Sequence, residues 1–125
     1  MARSHKPEKP IAVPRLSIRL DLSQTARIGP GKIQLLEEIA KCGSISGGGR
    51  ALKMSYRRAW ELIEEMNQNL GLDVVETATG GPGGGGTQLT KAGKQIVYQY
   101  RSLEKDAASV AQAHIACFLK ICKPK

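Results

Sequence analysis

Arg57 and Arg58 are the side chains with the clearest capacity for recognition chemistry. They lie at the start of residues 55–70, where apolar residues recur with helical spacing and the acids come later. A guanidinium group donates hydrogen bonds in a planar fork that fits the edge of guanine or a phosphate. Arg57 falls opposite the apolar stripe and suits a guanine, whereas Arg58 is rotated to one side and suits a phosphate. Hydroxyl groups accompany this pair at Ser44, Ser46, Ser55 and Tyr56. The serines either bind phosphates or only cap helices, and the sequence is compatible with both roles.

A glycine-rich loop supplies a second candidate contact surface. Residues 80–86 have the sequence GGPGGGG and lie between two strand-like runs, 72–79 and 87–90. The glycines match G-x-G-x-x-G formally, but no helix follows directly and no G-K-[S/T] is present, which excludes a nucleotide-binding P-loop. The pattern predicts a hairpin, or wing, whose tip can approach a phosphate backbone without side-chain clash. The residues expected to make such contacts are Gly83, Gly84, Gly85 and Lys91.

The overall charge indicates the class of partner that these groups would meet. The chain has 125 residues and a formal net charge of +8. A surplus of this size on one small domain favours a polyanionic partner, most often nucleic acid. A basic surface that serves only solubility is the alternative.

Catalytic and metal-binding groups are scarce. The chain has two histidines and three cysteines, and no pair of cysteines has C-x-x-C spacing. His114 and Cys117 stand three residues apart, but two ligands without a second pair are weak grounds for a metal site. We therefore expect no enzymatic activity, no catalytic residue, no metal and no cofactor. We also expect a cytoplasmic protein with no membrane association, because neither a membrane-length apolar run nor the apolar part of a signal peptide is present.

The first half of the chain contains the elements that would position these side chains. Strict alternation over residues 15–22 predicts a half-buried strand with Leu16, Ile18, Leu20 and Leu22 on one face, followed by a turn at 23–29. A first helix is predicted to begin at Pro30 and to end at Gly43. Its apolar stripe comprises Ile33, Leu36, Ile39 and Ala40, with Leu35 beside it.

Two further helices complete a helix-turn-helix pattern. The short segment 45–53 includes three consecutive glycines, which cost about 2–3 kcal/mol of helix propensity against alanine. Packing through Ile45, Ala51 and Leu52 must therefore stabilise it. In the third helix, Ser55 is the expected cap and Gly71 the stop. Trp60 is either a flank of the core or an aromatic residue that faces DNA, and the flank is favoured because a lone tryptophan is usually packed. Its core stripe comprises Ala59, Ile63, Met66 and Leu70.

The last predicted helix covers residues 91–121 and is too long to pack wholly on so small a domain. Its apolar positions follow a heptad spacing, which predicts pairing with the same helix of a second chain rather than folding back on its own domain. The expected dimer seam comprises Ile96, Tyr100, Leu103, Ala107, Val110, His114, Cys117 and Ile121. The predicted architecture is mainly α with a small β-sheet. It has a flexible basic arm (1–14), a winged helix-turn-helix (15–90), a dimerisation helix (91–121) and a tail (122–125).

Residues 28–100 resemble the N-terminal DNA-binding domain of the ModE family, the bacterial molybdate-responsive transcriptional regulators. The resemblance lies in GSIS at 43–46, SYRRAWELIEEMN at 55–67 and VVETATGGPGGGGTQLTKAG at 74–93. The third helix and LTKAG at 89–93 are also similar, more distantly, to LysR-type regulators. The resemblance implies a dimer formed through the terminal helices and a first strand that joins the wing sheet. It also implies DNA contacts from the wing and from Ser44, Ser46, Ser55, Tyr56, Arg57 and Arg58.

The resemblance does not extend to the molybdate-binding part of the family. Full-length members have a C-terminal domain that binds molybdate or tungstate, whereas this chain ends at Lys125. We therefore expect that this chain itself does not bind these oxyanions. The expected function is that of a ModE-type DNA-binding transcriptional regulator, with helix 55–70 in the major groove and wing 80–86 on the DNA backbone. The alternatives are a non-specific architectural DNA-binding protein and a protein that dimerises without using DNA.

Overall fold

Helices and short strands follow one another in the order predicted for a winged helix-turn-helix. The computed structural model describes residues 13–78 and 85–125. Within those ranges the elements are β1 (Leu20–Asp21), β2 (Arg27–Ile28), α1 (Pro30–Cys42), α2 (Ile45–Ala51), α3 (Tyr56–Leu70), β3 (Val75–Ala78), β4 (Gly86–Leu89) and α4 (Lys91–Ile121). The predicted fold class is therefore confirmed. Most of the predicted N-terminal arm lies outside the described residues.

Local signals in the sequence fix the ends of the helices. Pro30 occupies the first position of α1, where its missing N–H costs no hydrogen bond. Gly43 and Gly71 end α1 and α3 in the left-handed conformation, with φ of 79° and 74°. Ser55 caps α3 through its hydroxyl oxygen. These boundaries agree with the sequence prediction to within a residue.

The core lies where α1, α3 and the β3–β4 hairpin meet. The buried residues of the main cluster are Leu35, Leu36, Ile39, Ala59, Ile63, Met66, Val74 and Leu89. Leu70 packs at its edge. The prediction that Ala40 belongs to the core stripe is wrong, because this residue lies 100° beyond Ile39 on the helix and is exposed. Leu35 takes the buried position instead.

The glycines of α2 allow it to lie unusually close to its neighbours. Gly48 and Gly49 are both buried. A Cβ at Gly48 would lie 2.6 Å from Cγ1 of Ile39, and one at Gly49 would lie 3.0 Å from Cβ of Ala59. Packing therefore stabilises α2 as expected, although Ala51 is exposed and takes no part in it.

The strand predicted over residues 15–22 is reduced to β1. Its only strand partner within the described ranges is the two-residue β2, with Leu20 opposite Ile28, and Leu16 and Leu22 are exposed. The expectation that the first strand joins the wing sheet is also wrong, since β1–β2 and β3–β4 are separate sheets. The physical reason lies at the outer edge of β4, where the N–H of Thr87 donates to the carbonyl of Gly43 at 2.8 Å instead of to a third strand.

Helix α4 begins at a tightly packed junction and then leaves the domain. Thr90 accepts a hydrogen bond from the N–H of Gly93 and donates one to the carbonyl of Asp73 at 2.7 Å. Gly93 lies directly against the carbonyl oxygen of Val74, where a side chain would not fit. Beyond Leu103 most of the helix is exposed. None of the helices in the described part of the chain is both long and apolar enough to cross a membrane.

Candidate nucleic-acid interface

The first turn of α3 presents a cation and an aromatic ring to solvent. The hydroxyl oxygen of Ser55 accepts from the N–H of Arg58 at 3.0 Å, which satisfies one of the free donors at the helix start. The side chain of Arg57 is 88% exposed, and Tyr56 is 56% exposed. The capped helix therefore holds these two groups outward on a rigid element.

Both arginines of this turn face the same carboxylate. Nε of Arg57 lies 3.4 Å from Oε2 of Glu61, and Nη1 of Arg58 lies 3.9 Å from Oε1 of the same residue. Exposed pairs of this kind contribute only about 0.3–0.5 kcal/mol. Glu61 therefore orients the guanidinium groups without preventing them from binding another acceptor. Its i,i+4 spacing from Arg57 is the sequence signal that would have predicted this pair.

The serines of the helix-turn-helix have different local roles. The hydroxyl oxygen of Ser44 accepts from the N–H of Gly47 at 2.9 Å and caps α2. Ser46 is exposed, with its hydroxyl 3.5 Å from that of Ser44. Capping is therefore confirmed for Ser44 and Ser55, while phosphate contacts by any of the serines stay a prediction.

The base of the wing lies against the turn between α1 and α2. The Thr87–Gly43 hydrogen bond joins the two, and a Cβ at Gly86 would lie 2.6 Å from the carbonyl oxygen of Gly43. Only a glycine at position 86 permits this approach, a contact that sequence reasoning missed. Gly85 and Lys91 are exposed at the ends of β4 and α4. Gly83 and Gly84 lie outside the described residues.

Three residues beside the predicted site are exposed, and two of them, Arg50 and Lys53, were missed by the sequence reasoning. Trp60 is 45% exposed, so the expectation that it is a packed flank is wrong, and the alternative that it faces DNA stays a prediction. It lies about 90° around the helix axis from the centre of the core stripe, too far for the ring to be covered. Arg50 and Lys53 are exposed at the end of α2 and in the turn before α3. Lys53 has a φ of 60°, which a residue with a side chain rarely adopts.

The predicted dimer seam divides into a covered and an uncovered part. Ile96 packs against the core. Tyr100 is buried within its own chain, and its hydroxyl donates to the carbonyl of Ile18 at 2.6 Å. Tyr100 is therefore not available as a free seam residue. Ala107 is half-buried, and the exposed seam positions are Leu103, Val110, His114, Cys117 and Ile121.

An ion-pair network fixes α4 to α1 where the covered part ends. Arg101 donates two hydrogen bonds to the carboxylate of Glu37, at 2.7 and 3.0 Å, and one to Glu104 at 2.6 Å. The hydrogen bond from Arg101 lowers the pKa of Glu37, and both carboxylates raise the pKa of Arg101. Burial, followed by the charge of Glu104, raises the pKa of Tyr100. The direction of α4 relative to the helix-turn-helix is therefore fixed by charge as well as by packing.

The fold and the arrangement of these groups define a winged helix-turn-helix domain of the DNA-binding class. Residues 31–94 match the family described as "Bacterial regulatory helix-turn-helix protein, lysR family". The chain belongs to this family.

Curated relatives match the same region. The chain is 45% identical over 83 residues to the DNA-binding transcriptional dual regulator ModE of Escherichia coli (strain K12), covering 66% of this chain and 32% of that protein. It is 39% identical over 85 residues to the molybdenum-pterin-binding protein MopB of Rhodobacter capsulatus, covering 68% and 32%. It is 38% identical over 88 residues to the transcriptional regulator ModE of Haemophilus influenzae, covering 70% and 34%. The chain therefore spans about a third of the length of these relatives.

Solved structures support the fold at low sequence identity. The crystal structure of a CbnR DNA-binding domain–DNA complex is similar with a TM-score of 0.53 and 19% identity, over 70% of this chain and 95% of that one. Full-length LysG from Corynebacterium glutamicum with bound effector Arg gives a TM-score of 0.54 and 20% identity, over 76% and 30%. These similarities concern the fold alone.

Proposed function

We propose that the chain binds double-stranded DNA sequence-specifically, as a homodimer in the cytoplasm, and regulates transcription as ModE-type proteins do. The observation that carries this proposal is the exposure of Arg57 at the capped first turn of α3, in a chain of net charge +8. In a helix-turn-helix this turn is the part that enters the major groove. The chemistry offered is recognition by hydrogen bonds, not catalysis.

Each candidate contact has its own role in this proposal. Arg57 donates its planar fork to O6 and N7 of a guanine, which fixes one base position. Arg58, Ser46 and Lys91 donate to phosphates and set the register of the protein on the duplex. The wing, held at its base by the Thr87–Gly43 hydrogen bond, follows the backbone beside the groove. The acids later in α3 keep its second half away from the phosphates.

The proposed dimer forms through the part of α4 that its own domain leaves uncovered. Val110 is 69% exposed and Ile121 is 77% exposed, and both lie on the heptad seam. Two copies paired along this seam would present two α3 helices to two half-sites. We propose that this chain itself binds neither molybdate nor tungstate.

Selection of bound duplexes from a random DNA pool tests the proposal. We expect a recovered site with two related halves and a guanine in each half that Arg57 reads. Arg57→Ala should weaken binding by about 1–3 kcal/mol, or roughly 5- to 150-fold, and relax the preference at that base position alone. Lys105→Ala, which removes an exposed charge from α4, is the matched control and should leave the preference intact.

Two results would contradict the proposal. The first is a pool without enrichment together with a steep salt dependence, which describes a non-specific architectural protein. The second is no DNA binding by a folded chain.

Isothermal titration of the chain with molybdate tests the proposed lack of oxyanion binding and should give no heat of binding.

A further inference from the structure

Two aromatic rings lie on one edge of α3 without being part of the core. Tyr56 is 56% exposed and Trp60 is 45% exposed. They are four residues apart, so their side chains are neighbours on the helix surface. Within the described residues, no hydrogen bond joins the hydroxyl of Tyr56 or the indole N–H of Trp60 to another residue. An exposed pair of large rings is costly to keep in water and is typical of a contact surface.

The edge formed by Tyr56 and Trp60, here called the aromatic edge, lies beside the arginine proposed to read a base. At 100° per residue, Trp60 is about 60° around the helix axis from Arg57, on the side away from Arg58. The Cα atoms of the two residues are ~6 Å apart along the helix axis, which is nearly two base-pair steps. A helix that places Arg57 against a guanine therefore places the aromatic edge against the neighbouring base pairs.

The chemistry of the groove narrows what these rings can meet there. The hydroxyl of Tyr56 and the indole N–H of Trp60 can bind phosphates or polar base edges, but the apolar ring faces, which make up most of the exposed area, need an apolar partner. The C5-methyl group of thymine is the apolar group that the major groove offers. We infer that Trp60, supported by Tyr56, recognises thymine methyl groups next to the guanine contacted by Arg57, and so determines part of the sequence specificity. This inference rests on the proposed function.

Replacing thymine by deoxyuridine removes this methyl group and leaves every hydrogen-bonding group of the base in place. The test therefore uses the full chain and the duplex recovered by selection, with each thymine replaced singly, in a fluorescence-anisotropy titration at fixed salt. Loss of one buried methyl contact should weaken binding about fourfold at one or two thymines per half-site. Thymines outside those positions should show no change.

Two variants assign the effect to the tryptophan. Trp60→Gln should bind thymine and deoxyuridine duplexes equally, whereas Trp60→Phe, which retains an apolar ring, should still distinguish them. Circular dichroism and sedimentation should show both variants folded and unchanged in oligomeric state, since the ring is half exposed.

The outcomes separate failure of this inference from failure of the proposed function. A pool that yields no specific site overturns the proposed function. A specific site at which no deoxyuridine weakens binding, or at which Trp60→Gln retains the penalty, overturns the inference alone. Dissociation of the oligomer by Trp60→Gln would also overturn it, because the aromatic edge would then be a protein–protein contact.

Discussion

Replacing Gly48 by alanine should damage the helix-turn-helix more than any other single added methyl group in α2. The new Cβ would lie 2.6 Å from Cγ1, 2.9 Å from N and 3.1 Å from Cα of Ile39. Two of these atoms are backbone of α1, so no side-chain rotation relieves the overlap. Overpacking of a core typically costs 1–3 kcal/mol, and alanine regains about 1 kcal/mol of helix propensity. The expected net loss of stability is therefore up to about 2 kcal/mol.

Gly31 provides the matched control for this substitution. Gly31 lies in the first turn of the neighbouring helix α1, and a Cβ added there would meet no atom within 4 Å. Gly31→Ala should therefore raise the free energy of unfolding by up to about 1 kcal/mol, through helix propensity alone. In thermal unfolding at equal protein concentration, Gly48→Ala should lower Tm, by up to about 6–10 °C, while Gly31→Ala raises it by up to about 3 °C. Equal stability of the two variants would refute the close packing of α2 on α1.

The other predictions concern the α1–α4 junction, the turn before α3, and the dimer seam. Arg101→Gln should lower the free energy of unfolding by only about 1 kcal/mol, because the ion pairs that it removes are partly exposed to water. The pKa of Glu37 is lowered from 4.5 by its hydrogen bond with Arg101, so the contribution of this pair is present at neutral pH and declines as the pH falls from 4.5 through the lowered pKa. Urea titrations should therefore show a smaller deficit of the variant at pH 3 than at pH 7. Lys53→Gly should raise the free energy of unfolding by about 0.5–1 kcal/mol, because glycine adopts the positive φ without strain. Lys53→Ala should not raise it, and equal gains for the two variants would refute the strain at this position. Val110→Asp should shift sedimentation toward the monomer while the exposed Ser109→Asp does not, and an unchanged dimer would exclude this seam.

The sequence predicts the helices well because their ends have strong local signals. Ser55, Gly43 and Gly71 act through hydrogen bonds and backbone angles within one turn of themselves, so no distant contact is needed to interpret them. The exposed Arg57 is likewise predictable, because its place opposite the stripe of α3 follows from helical spacing alone.

The sequence fails where the outcome depends on a distant partner. Alternation over residues 15–22 predicts a strand, yet a strand extends only as far as a neighbour pairs with it, and among the described residues Arg27–Ile28 alone does so. Tyr100 fits the heptad pattern as well as Val110 does, but the carbonyl of Ile18 lies within reach of its hydroxyl. Neither fact is encoded within one turn or one strand.

Competition binding measures the central claim most directly. The selected duplex and a scrambled duplex of equal length and composition are compared at one physiological salt concentration. Specific regulators bind their sites typically 10³–10⁷ times more tightly than other DNA. We predict a ratio of at least about 10³ for this chain. A ratio near one, with both duplexes losing affinity equally as salt rises, would contradict sequence-specific recognition by α3.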